Sequence, residues 1–344
     1  MDDLLLKVED LRVSYHTYAG EVQSVRGVSF DVKRGETVAI VGESGCGKSV
    51  TAKSIMGLIM DPGEVKEGSH IWFEGKDLTQ NTKKQWRDYR GNECAMIFQD
   101  ALTSLDPTMR VGKQIEEVLL VHGKASRAEA AGKAVEILRR VGIPNPEIRV
   151  REYPHQFSGG TRQRAMIATA LVCGPKLLIA DEPTTALDVT IQAQIMDLMK
   201  ELQKDTGAAI ILITHDLGVV AGIAKRICVM YSGKIVERGN SADIFYHPHH
   251  PYTWSLLNAV PRLDLENKQS LMTIEGTPPD LLDPPKGCPF CTRCRYCMPV
   301  CREEEPPVTD FGDGHEASCW LQDERAPRTD AEFMHNLKKQ ENKD

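Results

Sequence analysis

The chain has 344 residues, enough for one large domain and a smaller second one. Hydrophobic residues make up 41% and charged residues 26%, an ordinary globular balance that argues against a disordered chain. The net charge of −7 argues against nucleic acid as a partner, and no apolar run approaches the ~18 residues that a membrane-spanning helix needs. The start, MDDLLLKVEDLRV, has neither the basic residues nor the long apolar core of a signal peptide.

Residues 4–31 alternate in short runs broken by turn residues such as Ala19-Gly20, which predicts antiparallel strands and hairpins. Thr37 to Val41 is apolar and β-branched, a buried strand leading straight into glycines. A helical pattern starts at Lys48 and stops at Asp61-Pro62-Gly63. Residues 70–75 and 94–99 are candidate strands. About 101–170 the chain changes to a helical insertion, with helices over 114–122 and 127–141. Strands follow over 177–180, 209–214 and 226–230, with a helix over 191–203, and this alternation is the α/β signature. Residues 234–238 return antiparallel. After about Asn240 proline and glycine become dense, so a boundary is expected between 240 and 260. This divides the chain into 1–245, 246–325 and a polar tail over 326–344.

The segment Gly42-Glu43-Ser44-Gly45-Cys46-Gly47-Lys48-Ser49 matches GxxxxGKS between a strand and a helix. Its glycines let successive N–H groups curve around a phosphate, and the helix start, with Val50 in its first turn, adds a favourable dipole. Lys48 would reach the β- and γ-phosphates of a nucleotide, and Ser49 would ligate Mg2+. The plainer reading is a glycine-rich turn with a surface lysine. Asp181 and Glu182 argue against it, because they end an apolar strand, where open α/β sheets hold ligands. Asp181 would bind Mg2+, and Glu182 would orient or deprotonate the attacking water. Cys46 lies inside the loop as an incidental residue, one through which thiol reagents could reach the site.

Phe157-Ser158-Gly159-Gly160 with Gln163-Arg164 resembles LSGGQxQR, the signature of the nucleotide-binding subunits of ABC transporters. The resemblance implies a P-loop NTPase of ABC type, with an N-terminal antiparallel β-subdomain, a helical insertion and a small cysteine-rich C-terminal subdomain. It implies that Ser158, Gly159 and Gly160 cover the γ-phosphate of ATP held by a partner subunit, in a head-to-tail dimer. Gln99 matches the glutamine that senses Mg2+ or the attacking water and relays to the membrane subunits. Ala186-Leu187-Asp188 matches the loop where Asp188 couples the two sites. His215 matches the switch histidine that contacts the γ-phosphate and fixes Glu182. Tyr15 is the first choice for stacking on adenine and Tyr18 the second. Every catalytic group the family needs is present, so the site is expected to be active.

Phe245-Tyr246-His247-Pro248, His249-His250-Pro251-Tyr252-Thr253 and Leu256 to Pro261 resemble the segment after the ATPase domain of oligopeptide and dipeptide importers. The plainer reading of these residues is a linker. Six of the ten cysteines crowd between Cys288 and Cys319, which in a cytosolic chain suggests a metal before disulfides. The four-cysteine pattern of these importers, carried onto this chain, selects Cys288, Cys294, Cys301 and Cys319. It implies a [4Fe-4S] cluster, with Zn2+ the rival and Cys291 and Cys297 as extra or alternative ligands. The proline that follows the last cysteine in bacterial ferredoxins is replaced here by Arg302.

The resemblance therefore implies ATP hydrolysis powering di- and oligopeptide uptake from the cytoplasmic face of the membrane. The implied partners are a second ATPase subunit (expected as a heterodimer), two permease subunits and, indirectly, an extracytoplasmic peptide-binding protein. The alternatives are an importer of nickel or another small solute, and a soluble ABC ATPase. Repair members of that soluble class carry a long coiled-coil insertion and translation members two cassettes, whereas this chain has one P-loop and a shorter insertion.

Overall fold

The structure, a computed structural model, describes residues 3–100, 104–185, 187–259 and 274–327. The parts of the sequence-based expectations that involve Ala186, Val260, Pro261, residues 101–103 and most of the polar tail lie outside them.

The chain opens with two long strands, β1 (Leu4–Thr17) and β2 (Gly20–Lys33), paired antiparallel and bent by bulges near Asp10. β3 (Thr37–Val41) runs into the glycine loop, and α1 (Lys48–Ile55) leaves it. The short strands β4 (Gly63–Val65), β5 (His70–Phe73) and β6 (Lys76–Asp77) complete a five-stranded sheet with β1 and β2. α2 (Lys83–Tyr89) has a Thr82/Gln85 capping box that was not read from the sequence.

The second sheet has eight strands. After β7 (Cys94–Ile97) come β8 (Leu177–Asp181), β9 (Ala209–Thr214), β10 (Arg226–Tyr231) and β11 (Lys234–Asn240), then the distant hairpin β12 (Val308–Asp310) and β13 (Glu316–Ser318). Their spatial order is β12-β13-β11-β10-β3-β9-β8-β7, parallel from β10 to β7 and antiparallel beyond.

The central strands carry continuous apolar runs because both of their faces are covered. Ala39 and Val41 point into one core with Ile210 and Leu212; Val38 and Ile40 point into the other with Ile211 and Ile213. The β1/β2 sheet and α1 cover the second face. The first is covered by the insertion helices α3 (Val111–Val121), α4 (Arg127–Arg140), α5 (Pro146–Arg149) and α6 (Gly159–Leu171), together with α7 (Val189–Thr206). α4 starts with a Ser126/Glu129 capping box, and α7 ends at Gly207 with a left-handed φ of 67°.

The C-terminal region is joined to the main sheet. β13 pairs with β11 through Glu237↔Ala317 and Arg238↔Glu316, so it extends the main sheet. Cys288, Phe290, Cys291 and Cys301 share one core with Tyr231 and Tyr252. The segment that resembles the region after the ATPase domain of peptide importers holds two short helices after Asn240, α8 (Ser241–Tyr246) and α9 (Pro251–Asn258), which the sequence pattern did not mark. At six and eight residues, each is too short to show a sustained 3.6-residue period.

Candidate nucleotide site

The loop between β3 and α1 folds as it does because of its glycines. Gly45 and Gly47 have φ of 79° and 104°, where a side chain is strained. A Cβ at Gly42 would lie 2.1 Å from the Met230 carbonyl oxygen, so only glycine lets the loop pass β10. A Cβ at Gly45 meets nothing within 4 Å, which leaves that side of the loop open for a phosphate.

Lys48 is buried, and its Nζ donates to the carbonyls of Gly42 and Glu43 at 2.7 and 2.9 Å. The ammonium thus lies against the concave side of its own loop. Ser49 Oγ donates to Asp181 Oδ1 at 2.9 Å, joining the loop to the acidic end of β8. Burial raises the Asp181 carboxyl above its ordinary range, and neighbouring Glu182 adds to this against Ser49, Lys53 and Lys48. A divalent cation beside Ser49 and Asp181 would relieve that strain, so this pair fits Mg2+ in donor chemistry. Cys46 is buried and its thiol is pushed up by burial.

Glu182 is the hub of the site. Its backbone is left-handed, with φ of 47°, and its N–H donates to the Ile213 carbonyl. Its carboxylate accepts from Gln99 Nε2 at 3.0 Å and from Thr185 Oγ1 at 2.8 Å, and meets His215 Nδ1 at 3.3 Å. The ends of three neighbouring parallel strands, β7, β8 and β9, supply Gln99, Glu182 and His215. Thr185 was not foreseen; its place after the paired acids was the only available signal.

Ser158 caps α6, its Oγ accepting from Thr161 N–H. Ser158, Gly159, Gly160, Leu187, Asp188 and Ile191 help line an open cavity of about 380 Å³ that contains none of the Lys48–Glu182 group. Two clusters therefore exist on one chain. They are connected through α6, where Gln163 Nε2 donates to the Pro183 carbonyl beside Glu182. Asp188 caps α7 by accepting from Ile191 N–H at 2.9 Å. Tyr15 sits half-buried in β1, its ring against Gly63, whereas Tyr18 stands fully exposed at the hairpin tip.

The largest omission from the sequence reading is Glu43. Its N–H donates to Tyr252 Oη at 2.8 Å, its carbonyl accepts from Lys48, and its carboxylate takes both arms of Arg293. No sequence pattern linked residues 250 positions apart.

The six clustered cysteines are buried or half-buried. Burial raises the thiols of Cys288 and Cys319 to about 12 and that of Cys294 to about 11, and they feel one another's charge. Thiolates suit iron or zinc in kind. Among the described residues, however, no three His, Cys, Asp or Glu side chains converge to hold a metal ion. The described residues therefore give the expected four-sulfur cluster no support, although the thiols lie close enough to raise one another.

Comparison with known proteins places these features. The profile described as "ABC transporter" matches residues 25–185, and "Oligopeptide/dipeptide transporter, C-terminal region" matches 236–301. The oligopeptide transport ATP-binding protein OppD of Bacillus subtilis is 57% identical over 95% of this chain and 91% of its own length. The dipeptide transport ATP-binding protein DppD of Lactococcus lactis is 54% identical over 95% and 93%. Among solved structures, the ATP-binding cassette MJ0796, a dimer bound to ADP and Pi, aligns with a TM-score of 0.62 and 26% identity, covering 69% of this chain and 99% of that one. CbiO1 of Clostridium perfringens aligns at 0.60 and 32% identity, over 71% and 92%.

Proposed function

Because the chain belongs to the ABC transporter family, in its oligopeptide and dipeptide transport branch, we propose that it hydrolyses ATP to power di- and oligopeptide uptake across the cytoplasmic membrane. The observation that carries this reading is the convergence of Gln99, Thr185 and His215 on Glu182, beside the Ser49–Asp181 pair. Phosphoryl transfer to water needs positioning and charge stabilisation more than covalent chemistry.

Lys48 swings from the loop carbonyls to the β- and γ-phosphates, and the N–H groups of Gly45, Cys46, Gly47 and Lys48 cradle them, that of Cys46 leaving the Glu43 carbonyl to which it donates at 3.4 Å. Ser49 and Asp181, with Gln99, would hold Mg2+, which would supply positive charge against the phosphate oxygens. Glu182 holds the attacking water and takes its proton, while Gln99 and His215 fix the carboxylate's direction. Tyr15 stacks on adenine.

Ser158, Gly159, Gly160 and Asp188 act on the ATP of a second subunit, which explains why their cavity stands apart from Lys48. The partner is a second ATPase subunit in a head-to-tail heterodimer. It works with two permease subunits and, through them, an extracytoplasmic peptide-binding protein. No described helix is long and apolar enough to cross a membrane, and the chain works as a peripheral subunit on the cytoplasmic face. Cys288, Cys294, Cys301 and Cys319 are kept as ligands of a [4Fe-4S] cluster, with Zn2+ the alternative. Support for this comes from their thiol chemistry and shared burial, and the turns between them would have to draw together.

The test is reconstitution. ATPase activity of the assembled complex should rise when a short peptide and its binding protein are added. A complex that hydrolyses ATP at the same rate with every peptide tried would overturn the peptide assignment.

A further inference from the structure

We propose that Arg293, in the cysteine-bearing turn of the C-terminal region, is a positioning residue for the phosphate loop. The inference rests on reading Gly42–Ser49 as the ATP loop. The Arg293 side chain is almost fully buried, and all three of its guanidinium nitrogens are engaged. Both terminal nitrogens meet the Glu43 carboxylate, the second at 3.0 Å. Nη1 also donates to Tyr231 Oη at 3.2 Å, Nη2 to the Ile274 carbonyl at 3.1 Å, and Nε to the Glu275 carbonyl at 3.0 Å. A planar fork held in this way fixes both the position and the angle of its partner carboxylate.

Glu43 is the second residue of the loop, and all three of its polar groups are held. Tyr252 holds its N–H, Arg293 its side chain, and its carbonyl faces Lys48 Nζ at 2.9 Å. Two of these three tethers come from the C-terminal region. The chain from Arg293 through Glu43 to Lys48 therefore runs from that region to the ammonium expected to meet the phosphates. Pinning Glu43 lowers the entropy that the loop must lose when a nucleotide enters, and this raises affinity without any new contact to ATP.

A purely structural staple is the competing reading, and other contacts already fill that role. The C-terminal region is joined to the body by the β11–β13 pairing and by the ion pair of Arg238 with Glu316. Gln23 N–H also donates to the Leu281 carbonyl at 2.8 Å, and Arg26 Nη2 to that of Pro285. With these in place, loss of Arg293 loosens the loop and does not release the region.

The experiment uses the full chain. Binding of a fluorescent ATP analogue is titrated for wild type, Arg293→Met, Arg293→Lys, Glu43→Gln and the Arg293→Met/Glu43→Gln double variant. KM and kcat of ATP hydrolysis are measured alongside, and thermal midpoints report folding. Arg293→Met should raise Kd and KM about tenfold while kcat stays within about twofold. Arg293→Lys, which keeps the charge and loses the fork, should fall between. The double variant should bind no more weakly than the worse single variant, since both break one link. A lowered midpoint with unchanged Kd in Arg293→Met and Arg293→Lys would show a staple only and overturn the proposal. So would additive losses in the double variant. If wild type itself binds no analogue, the nucleotide reading falls, and the proposal with it.

Discussion

Gln99 and Glu182 leave the ends of adjacent parallel strands and meet side chain to side chain, Nε2 donating to Oε2 at 3.0 Å. The glutamine holds one carboxylate oxygen, and His215 faces the other at 3.3 Å. Glu182→Gln keeps an acceptor for Gln99 and leaves Lys48, Ser49 and Asp181 untouched. It removes the charge that takes a proton from water. Turnover should fall by about 10²–10⁴-fold with ATP affinity retained, as expected for loss of a general base. Single-turnover hydrolysis beside equilibrium binding separates the two effects. Near-normal hydrolysis would remove Glu182 from its assigned role.

The loop glycines give a paired test. An alanine Cβ at position 42 would come within 2.1 Å of a backbone carbonyl that cannot move without disturbing β10. Gly42→Ala should therefore cost about 1–3 kcal/mol of stability through overpacking, and bind nucleotide poorly. Gly45→Ala has open space around its new methyl and pays only the left-handed strain, about 1 kcal/mol. It should fold nearly as well and still lose ATP affinity, because the methyl occupies the side offered to phosphate. Urea unfolding and nucleotide titration on both variants read this contrast. Equal binding by Gly45→Ala and wild type would mean the phosphate sits elsewhere.

The parts of the site legible in the sequence are those whose residues sit at fixed distances along the chain. Gly42 to Ser49, Asp181 with Glu182, and Ser158 to Gly160 are local patterns, and the strand ends that carry Gln99 and His215 announce themselves as apolar runs. β3 and β9 were read with the bounds they have, since strands covered on both faces are apolar throughout. What could not be read is pairing across long separations. Arg293 with Glu43, Tyr252 with the loop, and β13 with β11 depend on how distant segments pack. The hairpin Val308 to Ser318 is short and largely polar, and its partner strand alone makes it part of the sheet. The role of the cysteines is not legible at this level either, because regular CxxC intervals say nothing about where the turns point the sulfurs.

His250 gives a pH signature of folding. Its Nδ1 accepts from Tyr252 N–H at 3.0 Å to start α9, while Nε2 is buried with no hydrogen-bond partner. Complete burial lowers its pKa from 6.5 to about 4, and nearby Glu237 opposes this. The unfolded chain therefore binds a proton between these values that the folded chain refuses, so stability rises with pH there. The contribution is fully present above pH 6.5 and is lost as pH falls toward 4, by roughly 3 kcal/mol in total. His250→Asn keeps a good N-cap and cannot titrate. Its urea midpoint should change less than that of wild type between pH 7 and pH 4.5, and equal slopes for the two would contradict the neutral buried ring.

The cysteine turn supplies the last prediction. If Cys288, Cys294, Cys301 and Cys319 hold iron or zinc, anaerobically purified protein carries that element, and a visible absorbance marks iron–sulfur while zinc gives none. Cys294→Ser or Cys301→Ser should remove most of the metal, since a thiolate site loses affinity when one soft donor becomes a hydroxyl. Cys297→Ser should keep it, because Cys297 is outside the inferred set. Arg293 lies one residue before Cys294 in this turn, and it holds Glu43. A metal that tightens the turn should therefore also tighten ATP binding, and chelation should weaken it in wild type but much less in Arg293→Met. Elemental analysis decides the first point, and nucleotide titration with and without chelator the second. Wild-type protein without iron or zinc, or equal metal content in all three serine variants, would exclude the site.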